Sequence, residues 1–103
     1  MLGIMKLSPS QLTALAGMYA LLGDPSRLSI VLVCAEQGRQ PVRAIIEATA
    51  LSPSLVSHHL RLLRTAGLLR VERSGRFAYY SIADEHVRHM LGDMVDHVQH
   101  LVT

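Results

Sequence analysis

The sequence predicts a mainly α-helical fold of about five helices with one small β-hairpin, and three observations carry that prediction. Apolar residues recur at three- and four-residue steps over most of the 103-residue chain. Asp24-Pro25 and Ser52-Pro53 place a capping side chain before a proline, as at the start of a helix. One stretch, 69–82, switches instead to period-two alternation around a glycine.

Taken in order, Leu12, Leu15, Tyr19 and Leu22 line one face of a first helix over about 9–22. Asp24-Pro25 opens a second, which runs to about Glu36 and stops at Gly38. Pro41 opens a short third through Ile45, Ile46 and Ala48, and Ser52-Pro53 opens a fourth that ends at Gly67. On the fourth, Val56, Leu60 and Leu63 form the apolar stripe, while Ser54, Ser57, His58, Arg61 and Arg64 fall on the other side. Residues 69–73 and 77–82 are the two strands of the hairpin, joined through Ser74-Gly75-Arg76. A last helix over about 85–101 carries Val87, Met90, Leu91, Met94, Val95, Val98 and Leu101. That set is too broad for a helix packed on one side only, so a partner is expected on another.

Composition narrows the rest. The length suits a single domain, 1–103, with one modest core. Half the residues are apolar, there is no Trp, and only 17% are charged, fewer than a small monomer's surface usually needs. A homodimer through the first and last helices is the expected remedy. The lone Cys34 excludes an internal disulfide and a multi-cysteine zinc site, and its apolar neighbours predict a buried, reduced thiol. The longest uncharged stretch, 7–23, contains Ser8, Pro9, Ser10, Gln11 and Thr13, so no membrane span is expected. The N-terminus lacks a signal-peptide pattern, and a cytoplasmic location follows as an expectation.

The net charge of +2 is unevenly spread. Residues 1–36 are neutral, residues 37–82 set seven arginines against Glu47 and Glu72, and residues 83–103 set Arg88 against four carboxylates. A basic middle suits a polyanion, and an acidic tail bearing four histidines suits a cation. A short helix, a tight connection over 49–52 and a second helix with a hydroxyl, imidazole and guanidinium face form a helix-turn-helix arrangement. Ser54, Ser57 and His58 can reach base edges or phosphates, and Arg61 and Arg64 can neutralise phosphates farther along. Arg73 and Arg76 flank Gly75 at the tip of the hairpin, a two-stranded wing placed for the backbone or minor groove. Solvated helix surface is the competing explanation for Ser57 and His58.

Three segments, 22–31 (Leu-Gly-Asp-Pro-Ser-Arg-Leu-Ser-Ile-Val), 51–68 (with Ser57-His58-His59-Leu60 at its centre) and 76–81 (Arg-Phe-Ala-Tyr-Tyr-Ser), resemble the ArsR/SmtB family of winged-helix repressors. The resemblance spans about 9–101. It implies a homodimer on an inverted-repeat operator of double-stranded DNA that leaves when an effector, often a metal ion, binds. By position it assigns base and phosphate reading to Ser54, Ser57 and His58.

The tail has a pattern of its own. His97 and His100 share a helical face, and His86 returns to nearly that face, but about 16 Å away along the axis. One helix therefore cannot gather the three. Two antiparallel copies can: Asp84 with His100, and His86 with His97, share a common midpoint near residue 92, where Gly92 would let two backbones approach. Each of two equivalent sites would then hold Asp84 and His86 of one chain and His97 and His100 of the other, a tetrahedral set for Zn(II) or Co(II). The spacing also matches the C-terminal-helix site of zinc- and cobalt-sensing members of the resembled family. The cysteine pair of its arsenic and cadmium/lead sensors is missing from the third helix, where 41–45 reads Pro-Val-Arg-Ala-Ile. Asp84 as a plain helix cap, and His97 and His100 paired with Asp93 and Asp96, remain open at this point. His89 with Asp93 reads as a surface pair; extra ligation from it would favour six-coordinate Ni(II).

An enzyme is not expected. There is no His-Glu-x-x-His, four protein ligands leave a tetrahedral ion no open position, and so short a chain has little room for a substrate cleft. A winged-helix regulator answering a different effector, with incidental histidines, is the alternative function.

Overall fold

The computed structural model describes residues 6–102. Met1–Met5, part of the stretch without a signal-peptide pattern, and Thr103, the last residue of the expected domain, lie outside the described residues. Five helices run in chain order, α1 (Pro9–Leu22), α2 (Pro25–Gln37), α3 (Val42–Thr49), α4 (Pro53–Thr65) and α5 (Glu85–Leu101). Strands β1 (Gln40–Pro41), β2 (Leu69–Ser74) and β3 (Phe77–Ile82) complete the fold.

The caps explain the boundaries. Asp24 Oδ2 accepts from the Arg27 N–H at 2.9 Å, Ser52 Oγ from that of Leu55 at 3.2 Å, and Asp84 Oδ1 from that of Val87 at 3.0 Å. Each satisfies one of the N–H groups that a helix start leaves without a partner. Ser8 and Gln11 form a reciprocal box at the start of α1. Gly67, at φ +80°, turns the chain out of α4 toward β2, a conformation only glycine adopts freely.

The expected two-stranded wing is part of a three-stranded antiparallel sheet in the order β1-β3-β2. Gln40 and Pro41 pair with Tyr80 and Tyr79, and Pro41 stands as the extended N-cap of α3 rather than inside it. Two residues carry no readable alternation, and a proline is tolerated there because the strand is an edge. The hairpin itself follows the expected register, Ser74 opposite Phe77 and Leu69 opposite Ile82, with Gly75 at φ +61° in the turn.

The core is aliphatic and central. Ile30, Val31 and Cys34 of α2, Ile45 of α3, and Val56, Leu60 and Leu63 of α4 are buried against Leu68, Leu69, Tyr80 and Ile82. Burial pushes the Cys34 thiol up to about 11, so it stays protonated and inert at neutral pH. The terminal helices are different. Only Leu22 of α1 and Leu91 of α5 reach the core fully, and Tyr19, Met94, Val98 and Leu101 are each more than half exposed. Among the described residues no single helix is long and apolar enough to cross a membrane.

Candidate nucleic-acid interface and metal centre

The α3–α4 pair is a helix-turn-helix whose connection depends on Ala50 in a left-handed conformation (φ +58°), closed by its N–H to the Ile46 carbonyl at 2.9 Å. With Val56, Leu60 and Leu63 buried, α4 has one rotational setting, and that setting leaves Ser54, Ser57, His58, Arg61 and Arg64 exposed. Arg73 and Arg76 are exposed at the tip of the hairpin. All seven residues singled out for DNA therefore stand on open surface, in two groups presented by one rigid unit.

The arginine-rich middle divides into two kinds. Arg39 donates from Nε to Glu72 Oε1 at 2.8 Å and lies 3.9 Å over the Tyr79 ring, and Arg70 donates to Ser81 Oγ at 3.1 Å. These two brace the sheet. Arg43, which sequence reasoning passed over, lines a 430 Å³ cleft with Arg76 and the exposed Phe77, between the start of α3 and the wing. Only the fold brings positions 43 and 76 together.

His59 was also missed, because its neighbour His58 has the same chemistry and points outward. The His59 ring is turned inward and buried, 5.7 Å from the ring of His58.

On α5 the four candidate ligands are all exposed. Asp84, held in extended backbone just outside the helix, caps with Oδ1 and leaves Oδ2 uncommitted. The His100 Nδ1–H bonds the Asp96 carbonyl at 2.7 Å, which leaves the Nε2 lone pair facing outward. A second partner on the ring nitrogen that does not ligate is what orients an imidazole for metal. Among the described residues no three donors within one protomer come together to hold an ion. The oxygen and nitrogen donors present fit Zn(II) or Co(II) only if a second protomer completes the set.

Two details differ from expectation. His89 pairs with Glu85, Nε2 to Oε2 at 3.6 Å, rather than with Asp93. Gly92 lines a groove toward α2 with Ala35 and Arg88, whose Nη1 donates to the Ala35 carbonyl at 2.9 Å. On a helix Gly92 lies about 120° from His86, and a Cβ placed there would meet nothing within 4 Å, so no close approach within the protomer requires a glycine. His86 instead flanks a 210 Å³ apolar groove between α1 and α5, with Leu15, Met18, Tyr19 and Leu68.

A three-stranded sheet beside a helix-turn-helix, with a charged outer face on the second helix, defines a winged helix-turn-helix protein. Comparison with known proteins carries this further: the profile of the arsR family of bacterial regulatory proteins matches residues 24–71. A transcriptional repressor SmtB homolog of Synechocystis sp. is 39% identical over 93 residues, spanning 90% of this chain and 70% of that protein. The transcriptional regulator NmtR of Mycobacterium tuberculosis is 41% identical over 80 residues, spanning 78% of this chain and 66% of that one. The chain thus spans about two thirds of these relatives' own length. Among solved structures, the homodimeric winged helix-turn-helix DNA-binding domain Mb0332 of Mycobacterium bovis superposes with a TM-score of 0.81 at 31% identity, covering 98% of this chain and 94% of its own. The chain belongs to the ArsR family.

Proposed function

We propose that the chain is a metal-responsive transcriptional repressor of the bacterial cytoplasm, one domain over 1–103 that acts as a homodimer. The metal-free dimer binds an inverted-repeat operator and leaves it when Zn(II) or Co(II) binds two intersubunit sites, relieving repression of metal-efflux or resistance genes. Ser54, Ser57 and His58 read bases and nearby phosphates, while Arg61, Arg64, Arg73 and Arg76 neutralise the backbone. Asp84 and His86 of one protomer and His97 and His100 of its partner form each metal site.

The observation that carries this reading is the symmetry of exposed donors on α5. Asp84 with His100 and His86 with His97 share one midpoint, on a helix whose apolar flank the protomer leaves uncovered. The exposed apolar residues of α1 lie beside that flank, so both terminal helices suit a two-fold contact. Because neither protomer owns a complete site, an ion bound there stabilises one arrangement of the two subunits over others. That differential affinity is what shifts a dimer away from the geometry that fits successive major grooves.

The test is a titration of zinc or cobalt into the metal-free protein while operator affinity is followed. Release at stoichiometric metal supports the reading. An affinity indifferent to both metals supports the alternative, a winged-helix regulator with another effector. Intense tetrahedral d–d bands of the cobalt form, without a sulfur charge-transfer band, identify the nitrogen and oxygen donor set.

A further inference from the structure

We infer that His59 is a positioning residue of the recognition helix α4, its neutral ring filling a buried slot beside the start of α2 and displaced from that slot in acid. The inference rests on the DNA-binding reading of α4 and is independent of the metal site.

His59 is 5% exposed and sits on the inner face of α4 beside Val56, Leu60 and Leu63. Its Nε2 lies 3.7 Å from Asp24 Oδ2, beyond hydrogen-bond range, and its Nδ1 is buried with no hydrogen-bond partner among the described residues. These two facts set the tautomer: the proton belongs on Nε2, facing the carboxylate, and Nδ1 keeps a bare lone pair. Asp24 is itself fixed, since the same oxygen accepts from the Arg27 N–H at 2.9 Å. The Arg27 Nε–H in turn donates to the Leu21 carbonyl at 2.8 Å. A short hydrogen-bonded chain therefore joins the end of α1 to the start of α2, and the His59 ring of α4 packs beside it.

A second proton has nowhere to go. It would turn Nδ1 into a buried donor facing no acceptor, and leaving such a group unpaired is costly. The charged and titratable groups around the ring are Asp24 and Arg27 of the α2 start and His58 of α4. Burial lowers the His59 pKa, Arg27 and His58 add to that, and Asp24 offsets part of it. The folded protein thus takes this proton at lower pH than the unfolded chain does. The stability involved is fully present above the free-imidazole range, about 6.5, and is lost as the pH falls below it. Once charged, the ring must leave its slot to give Nδ1–H an acceptor. That movement resets α4, and with it Ser54, Ser57, His58 and Arg61.

The experiment uses a duplex selected from a random library by the wild-type protein near pH ~7.5, with a chelator present throughout. Between about pH 7.5 and about pH 5.5 the wild type is expected to lose affinity that His59→Gln retains. Asp24→Asn keeps a capping side chain but removes the charge that favours protonation, so its loss should begin at lower pH than in the wild type. An undiminished acid loss in His59→Gln overturns the inference, because another group then titrates. Should His59→Gln lose its far-UV helix signal, imidazole NMR of the wild type decides. A His59 midpoint below those of the exposed histidines, coincident with the affinity loss, upholds the inference, and a midpoint among theirs overturns it. Failure to select any duplex at neutral pH would count against the DNA-binding reading instead.

Discussion

The two halves of the molecule differ in what they need from outside. The helix-turn-helix and wing are finished within one protomer: α3, α4 and the sheet share the buried core, and the residues proposed to meet DNA stand on a surface that core holds in place. The terminal helices are unfinished. Tyr19 of α1 and Met94, Val98 and Leu101 of α5 lie open, and the candidate metal ligands are too few in any one place to hold an ion. In the proposed function, reading and sensing are thereby separated, and sensing requires a two-fold axis.

Breaking the unfinished half should have the largest effect. Met94→Glu places a charge on the uncovered flank of α5. It should convert the dimer to monomer in sedimentation and cut operator affinity by about 10³-fold or more, toward non-specific binding, as the second half-site is lost. A folded dimer with unchanged affinity would show that this flank is not the interface.

His97→Ala/His100→Ala should act on sensing alone. Affinity of the metal-free dimer for operator should be unchanged, while the metal-induced weakening, on the order of 5–150-fold for ordinary coupling, disappears. Persistence of the response in this variant places the effector elsewhere.

Smallest is the effect that sharpens the finished half. Arg43→Ala should reduce the slope of log affinity against log salt by about 1 without altering sequence preference, as for a single phosphate contact. Arg39→Ala, whose guanidinium is engaged by Glu72 and Tyr79, should leave that slope unchanged. Equal slopes for all three proteins would remove Arg43 from the interface.

The two halves were also unequally legible. Local signals located the helices, because a cap and a proline act within a few residues; Asp24 and Ser52 cap the helices they were expected to begin, and Asp84 caps α5, the role left open for it beside metal ligation. The outward set on α4 followed from its stripe of Val56, Leu60 and Leu63. What escaped depends on contacts distant in sequence. Strand β1 exists only through its pairing with Tyr79 and Tyr80, and Arg39 is a brace only because Glu72 lies 33 positions away in the chain. His59 could not be told from His58 by chemistry, although continuing the buried stripe from Val56 would have singled it out. Gly92 stands at the sequence midpoint but about 120° round the helix from His86, because a midpoint in sequence is not a face of a helix.

A metal site shared between subunits can be rebuilt from two chains that each lack half of it. Asp84→Asn/His86→Ala protein and His97→Ala/His100→Ala protein, each left with two ligands per site, should bind no cobalt in the tetrahedral form as homodimers. When the two are mixed and allowed to exchange subunits, the heterodimer regains one intact set, with Asp84 and His86 from one chain and His97 and His100 from the other. The account predicts that the tetrahedral cobalt spectrum returns on mixing, at one ion per heterodimer. A mixture that stays as blank as its parents, with exchange verified, would contradict it.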